Sequence, residues 1–183
     1  MALPVSFPSG RLVQFSRSMS LVTMAGLVGI VFANVLLILI PEWTRDLLLA
    51  RVGQIDQPLV VSRTTGLLGG LVMAVPACVL MFGLWQVRCL FDSIAQGEVF
   101  SLKSADRLQA FAITVFAQAL LGPLSVIGLS LVFSLANPPG QRFVAVTLSA
   151  QDYMAIVIGG VLWAVTYAMR EATRLAEENA SFI

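Results

Sequence analysis

Histidine is absent from the 183 residues, which removes imidazole acid–base catalysis and the usual imidazole metal sites. Charge is scarce: Asp, Glu, Lys and Arg make up 11% of the chain, against about 25% in an ordinary soluble domain. Net charge is +1 with no long basic run, so no phosphate-neutralising face and no direct nucleic-acid binding are expected. The two cysteines, Cys78 and Cys89, read as lying on one helix. About 16 Å of helix rise separates them, too far for an intrachain disulfide. There is no phosphate-cradling loop, metal-ligand spacing or nucleophile elbow. Glu177 and Glu178 are adjacent, so on a helix they point about 100° apart and form no acid–base pair. No catalytic residue, cofactor or metal is expected, and the chain reads as non-enzymatic.

What is present is apolar. Hydrophobic residues make up 58% of the chain, and mean hydropathy is +0.90. Spans 19–40, 65–87, 110–133 and 153–169 contain no charged residue. A helix as long as the first is about 33 Å, enough to cross a hydrocarbon core of roughly 30 Å. The pattern predicts an all-α integral membrane protein: one compact four-transmembrane-helix bundle over residues 1–183, with the lipid bilayer as its first partner. The first apolar run is too long for a cleaved signal peptide, and no small-x-small site follows Ile40. Arg11, Arg17, Arg88, Lys103, Arg107, Arg170 and Arg174 fall on one side of the bilayer, and Arg45, Arg51, Arg63 and Arg142 on the other. That bias predicts a multi-pass topology with both termini inside. Trp43, Trp85, Tyr153 and Tyr167 lie near span ends, where amphipathic rings favour headgroups, whereas Trp163 lies deeper.

The connections have their own patterns. After Pro41, the residues Trp43, Leu47, Leu48 and Val52 recur at helical spacing, predicting a short helix on the outer interface. The run 59–62 reads as a short strand. In 142–150, Val144, Val146 and Leu148 alternate with Phe143, Ala145 and Thr147. These two extended segments share one side and can pair as a small extracytoplasmic β-ribbon, which would need to lean on the membrane or a partner. On the inner side, span two is expected to continue to about Ala95, with Gly97 as its stop and Ser101 as N-cap of the next helix. The result is a short juxtamembrane elbow, in which Glu98, Asp106 and Arg107 could carry an ion pair. The tail continues span four. Trp85, Arg88, Gly97 and Phe100 match Tyr167, Arg170, Asn179 and Phe182 in spacing, as expected of two parallel helix-pair halves with Gly97 and Asn179 ending their helices.

The sequences LFDSIAQGEVFSLKSADRLQ after span two and REATRLAEENASFI after span four resemble the paired signatures of the DUF2975 family, an uncharacterised group of small four-span bacterial membrane proteins. The resemblance implies a bacterial cytoplasmic (inner) membrane. It also implies a small helix-turn-helix regulator of the Cro type as a neighbour in many members. It implies no activity.

Within the spans the strongest polar side chains are Asn34 and Gln118, about 22 Å and 12 Å from the inner ends of their helices. That difference in depth argues against a bond between them. Each is expected to hydrogen-bond across helices to a carbonyl or a threonine, the alternative being a polar substrate site. Pro76 and Pro123 fall near mid-membrane and can kink their helices. Small residues four apart, such as Ala25/Gly29, Gly66/Gly70, Gly122 with Gln118, Ala155/Gly159 and Gly160/Ala164, allow close helix packing or homo-oligomerisation. The leading functional expectation is a binding protein that regulates a small cytoplasmic partner. Its inner face would comprise Arg88, Glu98, Phe100, Lys103 and Arg107 from the elbow and Arg170, Arg174, Glu177 and Glu178 from the tail. The alternatives are a subunit of an oligomeric small transporter or channel, with Pro76, Pro123 and Gln118 lining a path, or a scaffold subunit of a larger membrane complex.

Overall fold

Four apolar stretches become four long helices, and each is longer than the bilayer is thick. The computed structural model describes residues 10–53, 59–96, 101–138 and 140–181. Its helices are α1 (Gly10–Leu39), α2 (Pro41–Val52), α3 (Arg63–Ala95), α4 (Leu102–Leu135) and α5 (Ala150–Ser181). All but α2 are long and apolar enough to cross a membrane. At 1.5 Å per residue they reach about 45–50 Å, well past a hydrocarbon core of roughly 30 Å. The chain is a multi-pass membrane protein whose helices project beyond the spans.

Local chemistry sets the ends. Ser62 opens α3 with a reciprocal cap: Thr65 N donates to Ser62 Oγ at 3.2 Å, and Ser62 N donates to Thr65 Oγ1 at 2.8 Å. Ser101 caps α4 by accepting from Ser104 N at 3.1 Å, as expected. Helix α3 stops at Ala95, also as expected, while Gly97 lies outside the described residues. At the other end of the chain α5 runs on through Asn179 to Ser181, so Asn179 does not end its helix. Hydroxyls inside the spans bond to their own helix, as Thr114 does to Phe111 O and Thr166 to Leu162 O. That satisfies them where no water is available.

Packing follows a row rather than a closed ring. Helix α1 lies on α3, α3 on α4 and α4 on α5, while α1 and α5 do not meet among the described residues. The bundle is therefore less compact than the spans alone implied. Gly70 on α3 lets Ile38 of α1 approach so closely that a Cβ would overlap it. Gly66 admits Pro41 in the same way, whereas Gly29 and Gly160 face open space or distant contact. The Gly66/Gly70 pair thus serves intrachain packing.

Helix α2 differs from its expected place on the interface. Trp43 is exposed, but Leu48 and Thr44 are fully buried, and Thr44 Oγ1 donates to Leu37 O at 3.0 Å. The reason is the apolar face that the C-terminal part of α4 presents. There Leu48 packs with Val126, Leu129 and Phe133, joined at the edge by Leu59 and Phe143. Burying such side chains stabilises by about 1.5–3 kcal/mol each relative to water, and here α4 rather than lipid covers them.

The expected β-ribbon is not formed: among the described residues there is no strand, either at 59–62 or at 141–149. The alternation itself is present. Phe143, Ala145 and Thr147 turn inward, while Val144, Val146 and Leu148 are exposed. The partner is a helix. Phe143 N donates to Ser134 Oγ at 2.9 Å and Ala145 N to Ser130 Oγ at 3.1 Å. Two serines one turn apart on α4 match the two-residue repeat of an extended chain, so its inward donors are satisfied without a second strand.

Candidate functional site

Two groups of polar side chains lie at opposite ends of this row. At the elbow end, where α3 gives way to α4, the helices are laced together. Ser16 Oγ of α1 donates to Phe91 O of α3, and Ser20 Oγ donates to Asp92 Oδ1 at 2.9 Å. Phe15 meets Phe91 edge to face, with centroids 6.5 Å apart. Arg107 of α4 donates to Cys89 O and Ser93 Oγ of α3. Arg170 of α5 donates to Asp106 Oδ1 at 2.6 Å and to Gln109 Oε1 on α4. Every neighbouring pair in the row is thus tied by side chains at one level.

These ties reassign several candidate residues. Among the described residues Arg107 holds a carbonyl and a hydroxyl, and Asp106 forms an ion pair between helices, with Arg170 of α5. Arg88 lies over the Trp85 ring at 5.3 Å, the geometry of a cation–π contact. Its counterpart in the matched spacing, Arg170, reaches α4 instead, so the two positions are not equivalent in their contacts. Arg174 pairs with Glu171 at 2.6 Å and Glu178 at 3.9 Å along α5. Lys103 is exposed at the start of α4. Glu98 and Phe100 lie outside the described residues, as does the side chain of Glu177.

Toward the opposite end is a cavity of about 310 Å³. Helices α3 and α4 form its floor, α2 covers it, and α1 and α5 flank it without meeting. Its polar wall includes Asn34, Arg51, Gln118 and Asp152. The two intramembrane amides therefore share one cavity despite their expected difference in depth. Measured from the elbow ties, Asn34 stands about 21 Å above Ser20 and Gln118 about 17 Å above Arg107. The gap narrows because α4 is tied at Arg107, before the apolar span begins. Gln118 Nε2 donates to Pro76 O at 2.7 Å, the interhelical bond expected of it. Asn34 is half-buried and makes no side-chain hydrogen bond among the described residues. Pro123 lies away from this cavity, in a separate groove with Leu148 and Tyr153, so it does not share a lining with Pro76 and Gln118.

The rim of the cavity holds an ion pair that sequence reasoning missed. Asp152 opens α5 with its side chain only 7% exposed, and Arg51 of α2 lies 3.5 Å from it. Ser149 donates to Asp152 Oδ2 through its backbone N at 2.8 Å and its hydroxyl at 2.7 Å. Arg51 Nη1 also reaches Ser149 Oγ at 3.2 Å. Gly122 lies directly under the carboxylate, where a Cβ would overlap Oδ1 and come within 3.0 Å of Cγ. The segment Ser149-Ala150-Gln151-Asp152 has the spacing of a capping box before an apolar run, a signal that could have placed Asp152. Nothing in the sequence pairs it with Arg51. Chemically, the cavity offers neutral amide donors and acceptors inside and a guanidinium paired with a carboxylate at its edge. Among the described residues no cluster of acidic and cysteine side chains could hold a metal.

Comparison with known proteins adds a family but no activity. No curated protein and no solved structure matches the chain. A family model described as a protein of unknown function, DUF2975, matches residues 41–183, from α2 through the tail. The chain belongs to the DUF2975 family.

Proposed function

We propose that this chain is a non-enzymatic protein of the bacterial cytoplasmic membrane that acts by binding, with its elbow end in the cytoplasm. The basic-residue bias supports that orientation, with both termini inside. The observation that carries the reading is the form of the α5 tail. Arg170 pins α5 to α4, and the helix then projects about 17 Å further to Ser181. Along that stretch Arg174 sits between Glu171 and Glu178 at three- and four-residue spacing, which supports a helix lacking an apolar partner face. A charged helix that continues past its contact with α4, with exposed Lys103 three residues before Asp106 on α4, is suited to receive a small cytoplasmic protein. The family resemblance makes a helix-turn-helix regulator the partner to test.

Arg107 and Arg170 serve as struts in this reading, so the recognising charges are Lys103, Arg174 and Glu178. The test is co-purification of that regulator with the chain from native membrane. Reversing Arg174 and Glu178 together, or deleting residues 172–183, is expected to abolish it. Retention of the regulator by both variants would overturn the reading, and a reporter after Ile183 active only outside would overturn the orientation.

A further inference from the structure

Asn34 poses a physical problem. An amide within a membrane span costs free energy unless it is hydrogen-bonded, yet Asn34 has no partner among the described residues and faces a cavity. The cavity volume of about 310 Å³ falls at the lower end for small-molecule sites. Helices α1 and α5 both line it without meeting among the described residues, which leaves a lateral gap between them. The rim pair completes the pattern. Asp152 is held by Ser149 and Arg51, and Arg51 Nη1 reaches both of these partners. A guanidinium carries five N–H donors. The rim lies about 27 Å along α5 from Arg170 and about 6 Å from the level of Asn34. Guanidinium donors left over from the pair with Asp152, with amides a few ångströms deeper, match an amphiphile bearing a phosphate head and a carbonyl-bearing linker.

We propose that this cavity is a binding site for a phosphate-bearing membrane lipid from the leaflet on the α2 side. The phosphate meets Arg51, the linker carbonyls or hydroxyls meet Asn34 and Gln118, and a chain leaves between α1 and α5. The apolar floor, with Met73, Ala77 and Leu80 of α3, covers the chain's first carbons. This site is independent of the elbow and tail, so its failure leaves the partner reading untouched.

The test is native mass spectrometry of the full chain in a phosphate-free detergent, titrated with phosphatidylglycerol, diacylglycerol of the same chains, or inorganic phosphate. Phosphatidylglycerol is expected to give a one-to-one adduct at a concentration at least about tenfold below that for diacylglycerol, as for a charge-assisted contact. Asn34→Leu, which removes no internal hydrogen bond among the described residues, is expected to weaken that adduct several-fold. Equal binding of diacylglycerol, an unchanged adduct in Asn34→Leu, or inorganic phosphate binding at the same concentration would each overturn the proposal. A second measurement needs no variant. Phosphatidylglycerol with a photoreactive group near the head of its chain is expected to crosslink the stretches 30–37 and 73–80. Crosslinks spread over lipid-facing positions such as Leu21, Leu71 and Val161 would mean an annular lipid and would equally overturn it.

Discussion

Replacing Gly122 by alanine tests the seat of Asp152 most directly. On helix propensity alone the change should stabilise α4, by up to about 1 kcal/mol. The structure predicts the opposite sign. A Cβ at Gly122 would overlap Asp152 Oδ1 and come within 3.0 Å of Cγ, so either the carboxylate moves or the helices part. Parting the helices is overpacking, with a cost of about 1–3 kcal/mol. Moving the carboxylate weakens bonds from Arg51 and Ser149, each a contact to a charged group worth about 1.5–3 kcal/mol. The cheaper route costs about 1–3 kcal/mol, and after the propensity gain the net loss is about 0–2 kcal/mol. Reversible unfolding in mixed micelles, followed by far-UV circular dichroism, measures it. The decisive arm repeats Gly122→Ala in an Asp152→Ala background. With the carboxylate gone only propensity remains, and the same substitution should become neutral or stabilising. The two effects must differ by at least about 1 kcal/mol, the coupling expected of residues in contact. Equal effects in both backgrounds would refute the close approach of α4 and α5.

Three further outcomes follow from other contacts. Gly69→Ala should destabilise by about 1–3 kcal/mol because a Cβ there overlaps Thr44 Cγ2; Thr44→Ser removes that methyl, keeps the hydroxyl bond to Leu37 O, and should rescue it in the same unfolding assay. Ser130→Ala and Ser134→Ala should each cost about 1 kcal/mol and speed hydrogen exchange at Ala145 N and Phe143 N respectively, the amides they hold. Exchange unchanged at those two amides would remove the docked extended segment. Arg107→Ala should destabilise more than Arg170→Ala: Ser93 is buried beneath Arg107, whereas the Arg170–Asp106 pair is 43% and 64% exposed and contributes about 0–1 kcal/mol.

Much of this architecture was legible because membrane crossing demands long uncharged helices, and no other chemistry imitates that pattern. Ser101 as N-cap and Ala95 as helix end were readable for a similar reason: caps are local and depend on few residues. Contacts between distant segments were not. The alternation at 143–148 identified which side chains turn inward, yet could not reveal that Ser130 and Ser134 would replace a partner strand. Leu48 looked like an interfacial residue because nothing in its neighbourhood records that Val126, Leu129 and Phe133 of α4 meet it. The elbow arginines were singled out by type and position. Whether each faces a partner or ties two helices depends on Ser93 and Asp106, which only the fold brings within reach.

The same logic separates the two intramembrane amides. Both Asn34 and Gln118 read as interhelical bonds, because an unpaired amide in hydrocarbon is costly. For Gln118 that reasoning holds, with Pro76 O as acceptor. For Asn34 it fails at the one place where the row of helices is open. Among the described residues helix α1 rests on α3 and α2 and has no backbone approach to α4 or α5, so the face carrying Asn34 has α5 across the cavity rather than against it. Were the bundle closed, Asn34 would meet α5 near Gln151 and Asp152, both of which border the cavity. The elbow ties hold the row together at its far end, and the cap of α2 over α4 holds it at the near end. Between these fixed ends the gap remains without any single helix bearing the cost of keeping it open. A polar residue kept facing such a gap is better explained by something that enters it than by the packing around it.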